Sequence, residues 1–172
     1  MISQSMVDAI NSQVVAEFYS SYLYLSMAAY FESEGLEGFS SWMKAQAQEE
    51  LSHGMKLFNH VNERDGRVLL DAIEKPQTGW DSPLAAFEAA YGHEQKVTSL
   101  INDLVTLARE EKDYASENFL QWFVNEQVEE EANAKAIVDQ LKFVAGNPHA
   151  LFMLNRELGQ RTFTPPAPAA EE

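Results

Sequence analysis

Apolar residues recur along this chain with a period near 3.6, and nowhere with the alternation of a half-buried strand. Gly and Pro stand at the joints between the periodic stretches. Gly35 and Gly38 separate the first from the second, Gly66 ends the second, and Gly146-Asn147-Pro148 ends the fourth. Ser82-Pro83 has the form of an N-cap followed by proline at the first helical position. The pattern predicts helices over about 4–34, 38–65, 83–110, 114–145 and 148–160. Each of the first four should run about 40 Å or more. Tight joints around Gly35 to Gly38 and around Glu111 to Asp113 predict two antiparallel hairpins, and the stretch 66–82 predicts a long crossover between them. The expected fold class is therefore all-α: a four-helix bundle with one long crossover between helices two and three and a short fifth C-terminal helix. It should form one domain over residues 1–162, followed at 163–172 by a Pro/Ala/Glu tail expected to be disordered.

The inward stripes of the four long helices share an anomaly. Written as seams, they read Met6, Ile10, Val14, Glu17, Ser21, Tyr24, Ala28, Phe31, then Phe39, Met43, Gln46, Glu50, His53, Leu57, His60. The third and fourth read Leu84, Phe87, Tyr91, Glu94, Thr98, Ile101, Val105, Ala108, and Leu120, Phe123, Gln127, Glu130, Ala134, Ile137, Leu141, Val144. Each is interrupted near its middle by Glu. Burying a lone carboxylate is costly, so four such interruptions call for compensation.

Within each hairpin the interruptions also fall at one height. Counted from turn centres at residues 36 and 112, Glu17, Glu50, His53, Glu94, Gln127 and Glu130 lie 14 to 19 residues away. That is on the order of 20–28 Å up the bundle at about 1.5 Å per residue. If the crossover brings the hairpins level, four carboxylates, one imidazole and one amide converge. Two divalent ions bridged by a carboxylate would resolve their repulsion. Oxygen-rich ligation with one His suits Fe(II) or Mn(II), with Zn(II) as a competitor.

Composition narrows the function classes. The 172 residues carry 12 Lys plus Arg against 27 Asp plus Glu, a net charge of −15. That excess argues against nucleic acid and anionic membrane surfaces as partners and favours metal cations. The absence of Cys excludes disulfides, iron–sulfur clusters, Cys-ligated zinc and thiol nucleophiles. No run approaches the 18 apolar residues of a membrane span, and Met1-Ile2-Ser3-Gln4-Ser5 lacks secretory character, so a cytoplasmic location is expected.

Beyond single positions, the segments Glu17-Phe18-Tyr19-Ser20-Ser21 and Ala47-Gln48-Glu49-Glu50-Leu51-Ser52-His53 resemble the non-haem bacterial ferritins. So do His93-Glu94-Gln95, Asn118-Phe119-Leu120-Gln121-Trp122-Phe123 and Glu126-Gln127-Val128-Glu129-Glu130-Glu131. The resemblance covers nearly the whole chain and implies a ferritin-like bundle. It implies that Glu17, Glu50, His53, Glu94, Gln127 and Glu130 form a di-iron ferroxidase centre, with Tyr24 beside the metals. It further implies a third iron site at Glu49, Glu126 and Glu129, with Glu130 shared. Glu50, His53 and Tyr24 would carry the catalysis. Gln127-x-x-Glu130 stands where bacterioferritins and rubrerythrins carry a second Glu-x-x-His, and Ser52 stands where bacterioferritins bind haem through Met, so no haem is expected.

The implied function is an iron-storage subunit that oxidises Fe(II) to Fe(III) with O2 or H2O2 and stores it as ferric mineral in a hollow 24-subunit homo-oligomeric cage. The alternative is a di-iron peroxide-scavenging enzyme without bulk storage. Several neighbours have plainer readings. Without the resemblance, Glu129 and Glu131 read as a solvated acidic face. His60 reads as a core or rim histidine, and His93 and His149 as surface or interface groups. Tyr19, Tyr22 and Tyr30 suggest a second covered face on the first helix. Leu151, Leu154 and Leu158 give the short helix an apolar side that must dock.

Overall fold

The computed structural model describes residues 2–164; the greater part of the expected tail, Pro165 to Glu172, lies outside them. Among the described residues there are five helices and no strand: α1 (Gln4–Ser33), α2 (Glu37–Glu63), α3 (Pro83–Glu110), α4 (Tyr114–Phe143) and α5 (Pro148–Leu158). Local chemistry sets the helix starts. Ser3, Ser82, Asp113 and Asn147 each accept a backbone N–H with the side chain, and Pro83 and Pro148 occupy first-turn positions. Gly35 supplies the left-handed backbone of the first hairpin turn at φ 71°, and Lys112 is forced into the same region at φ 59° in the second.

The start of α2 is different. Leu36 offers no cap, and the Oδ1 of Asn155 on α5 instead accepts from the N–H groups of Gly38 (2.9 Å) and Phe39 (3.2 Å). A Cβ on Gly38 would lie 1.7 Å from the Asn155 carbonyl oxygen, so only glycine permits this docking. α5 thereby covers the beginning of α2 and buries Leu154 and Leu158, with Leu151 packed at the edge.

α1 packs along α2 and α3 along α4, and α1 meets α3. The segment between α2 and α3 is pinned to α1 at both ends. Asn11 Nδ2 donates to the Arg67 carbonyl (3.1 Å), and Ser26 Oγ to that of Gln77 (2.6 Å). This crossover returns the chain to the end where α2 began, so α2 and α3 run in the same direction. No helix of the described residues is long and apolar enough to cross a membrane.

The apolar core is split in two. One cluster holds Tyr24, Phe31, Phe39, Trp42, Phe87 and Leu141 among others, and the second holds Ile10, Leu57, Ile101, Leu120 and Phe123 among others. A layer of buried polar side chains lies between them on each long helix.

Candidate metal centre

That layer is made by the seam interruptions. Glu17 on α1, Glu50 and His53 on α2, Glu94 on α3 and Gln127 and Glu130 on α4 are each 1–4% exposed. Ligand atoms of Glu17, Glu50 and His53 lie within 4.8 Å of one another, and so do those of Glu50, Glu94 and Glu130. The two groups share Glu50. Between α2 residues, Glu50 Oε2 lies 3.5 Å from His53 Nδ1.

Hydrogen bonds orient most of the carboxylates. Gln13 Nε2 donates to Glu17 Oε1 (2.9 Å), and Gln46 Nε2 donates both to Glu50 Oε1 (2.7 Å) and to Glu130 Oε2 (2.9 Å). In α1 and in α2, a glutamine precedes the buried glutamate by one turn, the spacing at which i and i+4 side chains meet. Tyr24 donates its phenolic hydrogen to Glu94, and Gln127 Nε2 lies 3.3 Å from the Glu94 carboxylate. Glu17 Oε2 is buried without a hydrogen-bond partner; only a proton shared with Glu50 would give it one. An orphaned buried carboxylate oxygen aimed into a cluster of carboxylates fits a cation.

The electrostatics are those of acids buried against one another. Burial, with the Glu50 charge adding to it, pushes the Glu17 carboxyl up to about 8. Burial likewise pushes Glu94 up to about 7 and Glu130 up to about 8. Glu50 is held well above the carboxylate range by burial, then by Glu94 and Glu130. Burial and the Glu94 charge raise the Tyr24 phenol. Near neutral pH the metal-free centre keeps protons that a divalent cation would replace.

A third group lies on the adjoining face, where ligand atoms of Glu49, His53, Glu126 and Glu130 fall within 4.8 Å of one another. Glu49 and Glu126 are half-buried. Glu129 is exposed and contributes no ligand atom to any of the three groups, and His53 is brought into this one instead. Glu131 accepts from Thr98 Oγ1 at 2.6 Å. His60 is a satisfied core histidine, 3.1 Å from Ser116 Oγ and stacked on Phe119 at 3.8 Å between centroids. His93 is half-buried, and its neighbours within the bundle are defined. It is tucked between α1 and α3, with Nε2 2.8 Å from Ser20 Oγ and its ring against Tyr19 and Tyr24, and burial pushes it down to about 4.

Three features were missed in the sequence. Gln13 lies off the seam, although the repeated Gln-x-x-x-Glu of α1 and α2 would have pointed to it. Gln46 was in the seam without a role. Arg161 follows α5 and reaches Glu49 and Gln46, and no local spacing marks that contact.

A family model described as a ferritin-like domain matches residues 7–144. A bacterial non-heme ferritin of Bacteroides fragilis is 47% identical over 161 residues, covering 94% of this chain and all of that protein. One from Staphylococcus aureus is 37% identical over 163 residues, covering 95% and 98%. Among solved structures, an engineered closed form of the Archaeoglobus fulgidus ferritin superposes with a TM-score of 0.95 at 57% identity, covering 95% of this chain and all of its own. The open pore ferritin of the same archaeon gives 0.94 at 57% identity, covering 94% and 100%. The polar layer of carboxylates and one imidazole therefore sits in a bundle that matches these proteins from end to end, and the chain belongs to the ferritin family.

Proposed function

We propose that the chain is an iron-storage ferritin subunit that binds Fe(II) in pairs, oxidises it and passes the product to a ferric mineral. The observation that carries this reading is the sharing of Glu50 between two buried ligand groups on one bundle. A bridging carboxylate lets two cations sit close together, which four separated acids could not arrange.

Fe(II) is the substrate. Glu17 and His53 would hold one ion, Glu94 and Glu130 the other, and Glu50 would join them, with Gln127 beside the second. Each Fe(II) gives up one electron. Two Fe(II) with O2 and two protons yield two Fe(III) and H2O2; with H2O2 and two protons they yield two Fe(III) and two waters. Tyr24 holds Glu94 and offers a proton or an electron at the edge of the pair. Gln46 holds Glu50 against Glu130 and keeps the bridge in place. Glu49, Glu126 and the shared Glu130 would form a third iron position on the way out, with exposed Glu129 beside it to receive ions, while His53 stays with the first ion.

Storage requires a closed container. The reading includes assembly of 24 copies into a hollow cage in the cytoplasm, a closed point-group assembly of identical subunits. The double substitution Glu50→Ala with His53→Ala tests the centre: aerobic Fe(II) oxidation should fall strongly while the particle still assembles. Aerobic loading tests storage. Uptake of several hundred irons per particle is expected, whereas uptake stopping at two or three per subunit would leave a di-iron peroxide-scavenging enzyme instead.

A further inference from the structure

Arg161 stands three residues beyond the end of α5, yet three contacts fix it on α2. Its guanidinium donates to Glu49 Oε2 (2.5 Å) and to Gln46 Oε1 (2.7 Å), and lies 4.3 Å above the Trp42 ring. Trp42, Gln46 and Glu49 follow each other at i, i+4 and i+7, so one stripe of α2 receives one side chain. The close approach of Gly159 to Gly38 (3.3 Å from a Cβ at Gly159 to the Gly38 Cα) brings this segment to the helix.

The position matters because Glu49 also belongs to the group with His53, Glu126 and Glu130. A carboxylate already paired with a guanidinium offers less negative charge to a metal ion. The pair is also not sealed: the Arg161 and Glu49 side chains are 23% and 30% exposed, so water can take over the guanidinium when it leaves. Lys56, with its ammonium 4.3 Å from the Trp122 ring centre, brings a second positive charge to the group, but at Glu126 and not at Glu49.

We propose that Arg161 is a built-in competitor for the third iron position, holding Glu49 as a counter-ion that an incoming cation must displace. The inference rests on the reading of Glu49, Glu126 and Glu130 as an iron site. Its consequence is a weak third position that iron passes through rather than occupies. The same three carboxylates without the Arg161 charge against Glu49 would instead retain ferric ions and block the path inward.

The test is anaerobic Fe(II) binding by calorimetry on the assembled protein, comparing wild type with R161Q, R161K and E49Q. R161Q should tighten the third binding step about tenfold and leave the first two within about twofold, since the lost charge faces Glu49. R161K keeps a cation at the same carboxylate and should bind like wild type. A third step unchanged in R161Q overturns the inference. So does a weakening of the first two steps, which would make Arg161 a positioning residue acting through Gln46. E49Q separates the two readings. If E49Q abolishes the third step and R161Q leaves it unmoved, the site stands and the competitor fails. If the third step survives E49Q, the assigned site fails and takes the inference with it.

Discussion

Tyr24 on α1 donates its hydroxyl hydrogen to the carboxylate of Glu94 on α3, across the boundary between the two hairpins. The bond lies in the polar layer, where the apolar core is interrupted and α1 meets α3. It therefore has two roles, tying the hairpins together and fixing a buried carboxylate. Tyr24→Phe should lower the stability of the metal-free protein by about 1–2 kcal/mol, the usual result of stranding a buried acceptor. Chemical denaturation checks that. The same variant should oxidise Fe(II) more slowly while keeping its particle size.

The centre should be a site of stored instability. Glu17 carries a buried oxygen without a partner, in a cluster of like charges. At pH 9, where the Glu17 carboxyl is ionised, Glu17→Gln removes one charge and adds a donor facing Glu50. The metal-free variant should melt higher than wild type by about 2–4 °C for each kcal/mol recovered. Its stabilisation by added Mn(II) or Zn(II) should shrink. A lower melting temperature without metal would contradict the account of Glu17.

Proton release follows from the raised carboxyls. Glu17, Glu94 and Glu130 titrate at about 8, 7 and 8 when folded, above the 4.5 of an unburied glutamate. Groups raised in this way stabilise the metal-free fold below about pH 4.5, and that contribution is lost as pH rises through 7–8. Metal-free stability contributed by the layer should therefore fall between about pH 5 and pH 8.5. Binding of Zn(II) should release more protons at pH 6 than at pH 9, measured by calorimetry in buffers of different ionisation enthalpy.

The junction of α5 with α2 depends on Gly38. Gly38→Ala places a methyl group 1.7 Å from the Asn155 carbonyl oxygen, a backbone atom that cannot turn aside. Displacing α5 would uncover Leu154 and Leu158 and remove the cap of α2. A loss of at least about 2–3 kcal/mol is expected. Hydrogen exchange should show faster opening at α5 and the first turn of α2, with α3 unchanged.

The bundle and most of its polar layer were legible because burial imposes a period on the sequence. Glu17, Glu50, His53, Glu94, Gln127 and Glu130 stood where apolar residues belonged; helical rise put them at one height within each hairpin, and the long crossover brings the two levels together. What escaped depends on neighbours distant in sequence. Arg161 meets Gln46 and Glu49 more than a hundred residues away, through a segment with no period to read. His93 lies one residue from Glu94, and only the packing of α1 against α3 determines that Ser20 and Tyr19 meet it. Glu129 lies about 100° around the helix from Glu130, so the structure leaves it in solvent while its neighbour is buried.

The central claim is a pair of iron ions joined by Glu50, and anomalous scattering at the iron edge from crystals soaked anaerobically with Fe(II) reads it directly. The account predicts two strong peaks on either side of the Glu50 carboxylate, about 3.5–4 Å apart, one beside Glu17 and His53 and one beside Glu94 and Glu130. A single peak, or peaks that leave Glu50 without iron, would contradict it.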